Sequence, residues 1–386
     1  MLSLLLVGSM ARAQAPAAPP PAPLTGPTVA NAPEPNWDVI RKAPLTPIDK
    51  STVQKWVAAY VNQIFTASDP MPYALYLFRR TGEEVRNTAS VPAYKDALAQ
   101  TVTDAFNARY GQTPPASQPV GIVFLLMTIR QLAPSAAANY GGALIAFQSV
   151  LADPSSAVRS EGLAGLQQIR AAIPAAGRPA VINAVQKAGL AEVHPVVLGR
   201  MYTFLAALGD NGTPQDVQAV VTALLAILDA RLTRIEQKRE WPFSADATAV
   251  AWLAGKSRTL TVPATQTAIA RTTARLLADV VYAHVHHVPS AAIKEDLERA
   301  AMLAEEQLTA LYKAKLPNGP VPEPSVTKAI HETGAKQGPA MTAAVEKWIG
   351  SGSTPGVLNP PAAFGLPVGL GITRPPPPAT SSAPSS

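Results

Sequence analysis

Apolar positions recur at helical spacing through most of the chain. Val217, Val220, Val221, Leu224, Leu228, Leu232 and Ile235 fall at i, i+3, i+4, i+7, i+11, i+15 and i+18, one face of a 3.6-residue period. Thr213-Pro214 precede the run, a capping hydroxyl and a proline suited to the first turn. Arg231, Arg234, Lys238 and Arg239 gather at its far end, where positive charge suits the helix dipole. A second stripe takes Ile293, Leu297, Ala300, Ala301, Ala304, Leu308 and Leu311, with Ser290 as cap and Pro317 as stop. Ile269, Thr273, Leu276, Val280 and Ala283 make a third. Further helices are predicted over 50–67, 92–109, 119–132 and 340–349. The best strand signal, Thr259-Leu260-Thr261-Val262, is only four residues long. The pattern predicts an all-α protein.

One stretch carries more than periodicity. An apolar helix from Gly141 ends at Asp153-Pro154. Val158-Arg159 then open a second helix, with small residues Gly162 and Gly165 and apolar Leu163, Leu166 and Ile169. This resembles a HEAT repeat: helix A, an Asp-Pro turn, then Val-Arg and a small residue on helix B. The resemblance implies that Asp153 caps helix B and that Arg159 supports a ladder between repeats. It also implies that the small residues let the two helices approach closely. Alanine is commoner in that family where this chain has Gly162, which implies looser packing there. A second unit is expected at about 178–208, with Pro195 early in its helix B, and a third from Pro214. The resemblance covers about 140–240. The helices at 265–312 are longer than HEAT helices and are expected to form a hairpin or cap. The implied fold is a HEAT/armadillo-like α-solenoid of stacked antiparallel helix pairs.

The ends differ in composition. Leu2 to Val7 form a short apolar run, followed by Ala11-Arg12-Ala13 and Gln14-Ala15. Such a run before an A-x-A pattern reads as a secretory signal cleaved after Ala13, although no Lys or Arg precedes it. Eight prolines fall in 15–35 and nine in 351–386, of 39 in the chain. Segments so poor in amide donors resist helix and are expected to be disordered or extended. The division expected is a signal peptide at 1–13, a Pro-rich linker at 14–35 and an N-terminal helical region at 36–135. HEAT-like pairs at 136–240, a C-terminal helical region at 241–350 and a disordered tail at 351–386 follow. The run Arg374-Pro375-Pro376-Pro377-Pro378 reads as a spacer.

Composition narrows the function classes. The 386 residues exceed what one compact core organises. The 47% apolar content is largely Ala, Leu and Val, with 6% aromatic and 15% charged residues, which favours helix. The absence of cysteine excludes disulfides, thiolate metal sites, a cysteine nucleophile and an N-terminal lipidated cysteine. No uncharged apolar run reaches the length of a membrane span. The net charge of +6 is scattered, whereas nucleic-acid binders concentrate it in a patch.

Few residues offer chemistry. Ala283-His284-Val285-His286-His287 is the one histidine cluster. His284 and His287, a turn apart on a helix, can share a metal, with Glu295 or Asp296 as a third ligand. Against this, both continue apolar stripes, as buried structural histidines do. Gly255-Lys256-Ser257 ends like a phosphate loop, but Val250 stands where the loop requires glycine. Lys256, Arg258, Arg271 and Arg275 lie in a stretch without acidic residues, an anion-binding face or a solvated one. No catalytic triad elbow or zinc-protease motif occurs, and no cofactor is indicated. The expected function is an exported, periplasmic or extracellular, non-catalytic scaffold binding a protein or peptide through its helical-repeat surface. The alternatives are an exported hydrolase whose site has no sequence signature, or a metal or anion binder using His284 and His287.

Overall fold

The computed structural model describes residues 26–30, 32–112, 118–133, 140–237, 240–257, 259–260, 262–287, 290–332 and 334–372. The predicted signal peptide, the start of the linker and the run Pro375–Pro378 lie outside them. The described residues form helices and turns, with no strand among them. The helices are α1 (Trp37–Ile40), α2 (Pro47–Thr66), α3 (Met71–Arg86), α4 (Pro92–Tyr110), α5 (Pro119–Leu132), α6 (Tyr140–Ser149), α7 (Ser156–Ile169) and α8 (Arg178–Ala191). They continue as α9 (Pro195–Asp210), α10 (Pro214–Glu236), α11 (Ser244–Ser257), α12 (Pro263–His286), α13 (Ala291–Lys315), α14 (Val326–Ile330) and α15 (Gln337–Ile349).

Proline sets six of the starts. It occupies the first position of α2, α4, α5, α9, α10 and α12, where its missing N–H costs nothing and its fixed φ suits the helix. Thr46 with Asp49 and Thr213 with Asp216 close capping boxes at α2 and α10. Ser290 and Ser325 cap α13 and α14 through the amides of Ile293 and Lys328.

The helices stack as antiparallel pairs: α2/α3, α4/α5, α6/α7, α8/α9, α10/α11 and α12/α13. Each also packs on the helix two places along. So α2, α4, α6, α8, α10 and α12 form one layer, and α3, α5, α7, α9, α11 and α13 the other. One hydrophobic core runs without a break from Val29 to Leu370. This is a two-layered α-solenoid, and it extends well beyond the 140–240 stretch. The expected boundary at 240/241 falls in the connection between α10 and α11. The long helices α12 and α13 form the expected hairpin and end the stack, with α15 packed on α12.

Four expectations need correction. The segment at 259–262 is a turn between α11 and α12, with Leu260 buried in it and residue 261 outside the description. Gly162 does not loosen the α6–α7 seam. A Cβ there would collide with Val150 and the Phe147 carbonyl, and one at Gly165 with the Phe147 ring. Glycine is what permits this approach.

The described parts of the expected linker and tail are also packed on the helices, not free of them. Tyr60 donates to the Pro27 carbonyl at 2.8 Å, and Glu34 accepts from Tyr76 at 2.8 Å and Trp37 at 2.9 Å. Leu358, Ala363, Phe364, Leu366 and Leu370 are buried. Residues 26–40 and 316–372 thus cover the two open ends of the stack, which every solenoid must shield from water.

Candidate binding groove and its supporting ladder

A chain of polar contacts fixes the turns of the middle pairs. Asp153 is buried, but it does not cap the body of α7. Its Oδ1 accepts from the Ser155 amide at 2.8 Å, which shapes the turn, and its Oδ2 accepts from Tyr110 at 2.8 Å. The Asp153-Pro154 turn is thereby tied to α4. Arg159 spans to the next pair. It holds the Glu192 carboxylate through two N–H donors at 2.6 and 2.7 Å, and it donates to the carbonyls of Asp153 and Pro154. Such forked pairing fixes direction as well as distance.

Glu192 also accepts from the amides of Val193 and His194, at the start of α9. Burial opposes its ionisation, but the Arg159 guanidinium and those two amides outweigh it and hold the carboxyl below its ordinary range. Arg234 then reaches back to the carbonyls of Leu190 and Glu192 and pairs with Glu240. Arg231 pairs with Glu240 and with buried Asp246, 2.8 Å away, to which Tyr202 also donates. Burial pushes Asp246 up, and Arg231 acts against that.

These contacts position the outer face of the second layer. There α5, α7, α9 and α11 line a groove of about 830 Å³. Its floor is made of small residues, Ala164, Gly199, Ala206, Ala207 and Ala245. Val196, 56% exposed, and Trp252 rise beside the floor. Arg130 and Arg200 stand toward the α5–α7 side and Asp210 beside Trp252. Asp210 accepts from Trp252 at 2.9 Å and pairs with Lys256 at 2.9 Å. Gln167 lines the groove, with an Oε1 that is buried and accepts no hydrogen bond among the described residues. The lining is mostly apolar, with Arg130, Arg200 and Asp210 as its charged side chains.

The other sequence candidates fall elsewhere. His284 is buried on α12, with Nε2 3.1 Å from Glu298 Oε1 on α13. His287 lies just past the end of α12, edge-on to Trp241 and Tyr282. Glu295 is exposed, and Asp296 accepts from the Ser244 amide. No group of three or more His, Asp or Glu side chains placed to hold a metal occurs among the described residues.

Gly255-Lys256-Ser257 closes the C-terminal end of α11, the wrong end of a helix to cradle phosphate. Of the basic stretch, Arg258 lies outside the described residues; among the rest, Arg275 is buried against Glu236 and Asp229, Lys256 pairs with Asp210, and Arg271 is exposed, so these three form no common face. Glu192, Arg200 and Trp252 escape sequence reasoning. The signal for Glu192 is positional, an acidic residue in the turn before the helix that opens at Pro195, as Asp153 lies in the turn before α7.

Fold and groove together define a class, an α-solenoid with an open, mostly apolar surface groove across successive helices. No helix among the described residues is long and apolar enough to cross a membrane. No protein-family model matches the chain, and no curated protein matches it.

Proposed function

We propose that this protein is a non-catalytic scaffold, exported from the cytoplasm, that holds an extended segment of another protein in the α5–α7–α9–α11 groove. The supporting observation is the groove itself. It is open along its length and floored by side chains too small to fill it, and it crosses four helices of one layer. Stacked helix pairs commonly use such surfaces to bind polypeptides. Export rests on the Leu2–Val7 run and the Ala11-Arg12-Ala13 site. The assignment of the pairs to the HEAT type rests on Asp153, Pro154, Val158 and Arg159, with Arg159–Glu192 acting as a rung between turns.

A photo-crosslinking amino acid at exposed Thr248, in the groove, tests the binding role in cells making the full chain. It should yield a discrete protein adduct that the same group at exposed Ile145 on α6 does not. Equal adducts at both positions, or none at Thr248, overturn the reading. N-terminal sequencing of the mature chain tests export separately. The expected first residue is Gln14, and an intact N-terminus on the cell-associated protein removes that part.

A further inference from the structure

We infer that the groove selects acidic segments: an extended polypeptide that sets a carboxylate side chain on Arg130 and Arg200 and an apolar side chain against Val196 and Trp252. This rests on the reading that the groove holds polypeptide, and it adds the chemistry of the occupant.

Length comes first. Packed helices lie about 8–10 Å apart, so the three steps from α5 to α11 span roughly 25–30 Å. An extended chain rises about 3.3 Å per residue, so roughly eight residues cross the groove. The floor is small enough for a backbone to lie against it. Gln167 lines this floor, with an Oε1 that is buried and without a donor among the described residues.

Charge decides the rest. Arg130 lies 2.6 Å from Glu161 Oε1, and Arg200 donates to the Ser160 carbonyl at 3.0 Å. Two guanidinium groups therefore face one carboxylate. Each carries five N–H donors, and Arg200 is exposed, so donors are left over. The other acid beside the groove, Asp210, is already paired at its Oδ1 with Lys256 and Trp252. Burial opposes its ionisation, and those two hydrogen bonds overcome it. Counting Lys256, three cations meet two carboxylates. A basic segment finds no unpaired anion here, whereas an acidic one completes a forked contact of the kind Arg159 makes with Glu192.

The test is selection of a random nine-residue displayed peptide library on the full chain, followed by fluorescence anisotropy with the enriched peptides. Enriched sequences should carry Asp or Glu near an apolar residue. Changing that acid to its amide should weaken binding at least tenfold, and Arg200→Glu in the protein should do the same. Thr203→Trp, at an exposed position on the groove floor, should abolish binding without disturbing the fold seen by circular dichroism. Enrichment without acidic bias, or binding indifferent to Arg200→Glu, overturns the charge inference and leaves the groove reading standing. Binding that survives Thr203→Trp, or no enrichment at all, overturns the groove reading and this inference with it.

Discussion

Between α6 and α11 each turn passes a charged group to the next. Tyr110 holds Asp153, Arg159 holds Glu192, Arg234 holds the carbonyl of Glu192, and Arg231 holds Asp246. Between α12 and α13 the seam is mostly apolar and small side chains, Leu276, Val280, Leu297, Ala300, Ala301, Ala304 and Leu308, all buried, with the His284–Glu298 contact as a polar exception. Both regions stack helices antiparallel. The first fixes the rotation of each pair through directional contacts, whereas the second relies on area and close approach, which are not directional. The groove lies on the region with directional contacts. A surface crossing several pairs keeps its shape only if successive pairs hold their mutual angle. That is the service the ladder performs, at the desolvation cost of its buried charges.

The comparison breaks most sharply at Arg231. It is 2% exposed and Asp246 is fully buried. Arg231→Met leaves that carboxylate without its cation, which costs on the order of 3–5 kcal/mol. Urea unfolding should show the loss. Adding Asp246→Asn should recover part of it, and a double variant no better than the single one would mean the pair is not the source.

The C-terminal end offers the next largest effect. Glu305 on α13 accepts from the amides of Val326 and Thr327, at 2.7 and 2.8 Å, and from Trp348 Nε1 at 3.3 Å. Glu305→Ala orphans these donors at about 1–3 kcal/mol each, for a total on the order of 3 kcal/mol. Hydrogen exchange should rise in 326–372 and leave α6–α11 protected. Faster exchange throughout would mean that this segment is not a separate cap.

A smaller effect separates the two seams. Gly165→Ala gains helix propensity but drives a Cβ into the Phe147 ring, and overpacking costs about 1–3 kcal/mol. A net loss of up to about 2 kcal/mol is expected, against the usual gain of about 1 kcal/mol for replacing a helical glycine by alanine. A stabilised variant would show that the α6–α7 seam can open.

Helices were legible wherever a broad apolar stripe met a cap. Val217–Ile235 gave α10, and Ile293–Leu311 gave α13. α3 is hidden because Arg79, Arg80, Glu83 and Glu84 crowd its sequence, and Glu84 is buried only by virtue of Arg41 and Arg80. α11 is hidden because its buried face mixes Asp246, Ser257 and three alanines with only two larger apolar side chains, Val250 and Leu253, which marks no stripe. The recurrent proline at the first helical position was available and was read only at Pro214. The folded parts of the termini could not be found from composition, because Val29 and Phe364 are buried by partners far along the chain. The groove was illegible for the same reason. Arg130, Arg200 and Trp252 meet only once four helices are stacked, and no local period relates them. Arg159 was legible as a rung, whereas its partner Glu192 was not, since only the α7–α9 packing brings them together.

The finest distinction between the regions is their response to acid. Glu192 titrates below its ordinary value of 4.5. Its ionised form therefore adds stability that is fully present above about pH 4.5 and is lost as pH falls through the lower, folded-state value. Glu161 and Asp246, pushed up by burial, act with the opposite sign and at higher pH, so the stability of the whole chain is a poor reporter. A difference isolates the rung. Glu192→Gln should lower stability by about 1 kcal/mol at pH 7, the scale of a hydrogen bond lost at a nearly buried site. The gap between wild type and variant should close as the pH is taken from 7 to 3, measured as urea midpoints. The same titration on Leu308→Ala, in the hairpin, should show a gap that does not move with pH. If the Glu192→Gln gap is as wide at pH 3 as at pH 7, the carboxylate is not what ties the turns together, and the contrast between an ionic middle and an apolar end fails at this rung.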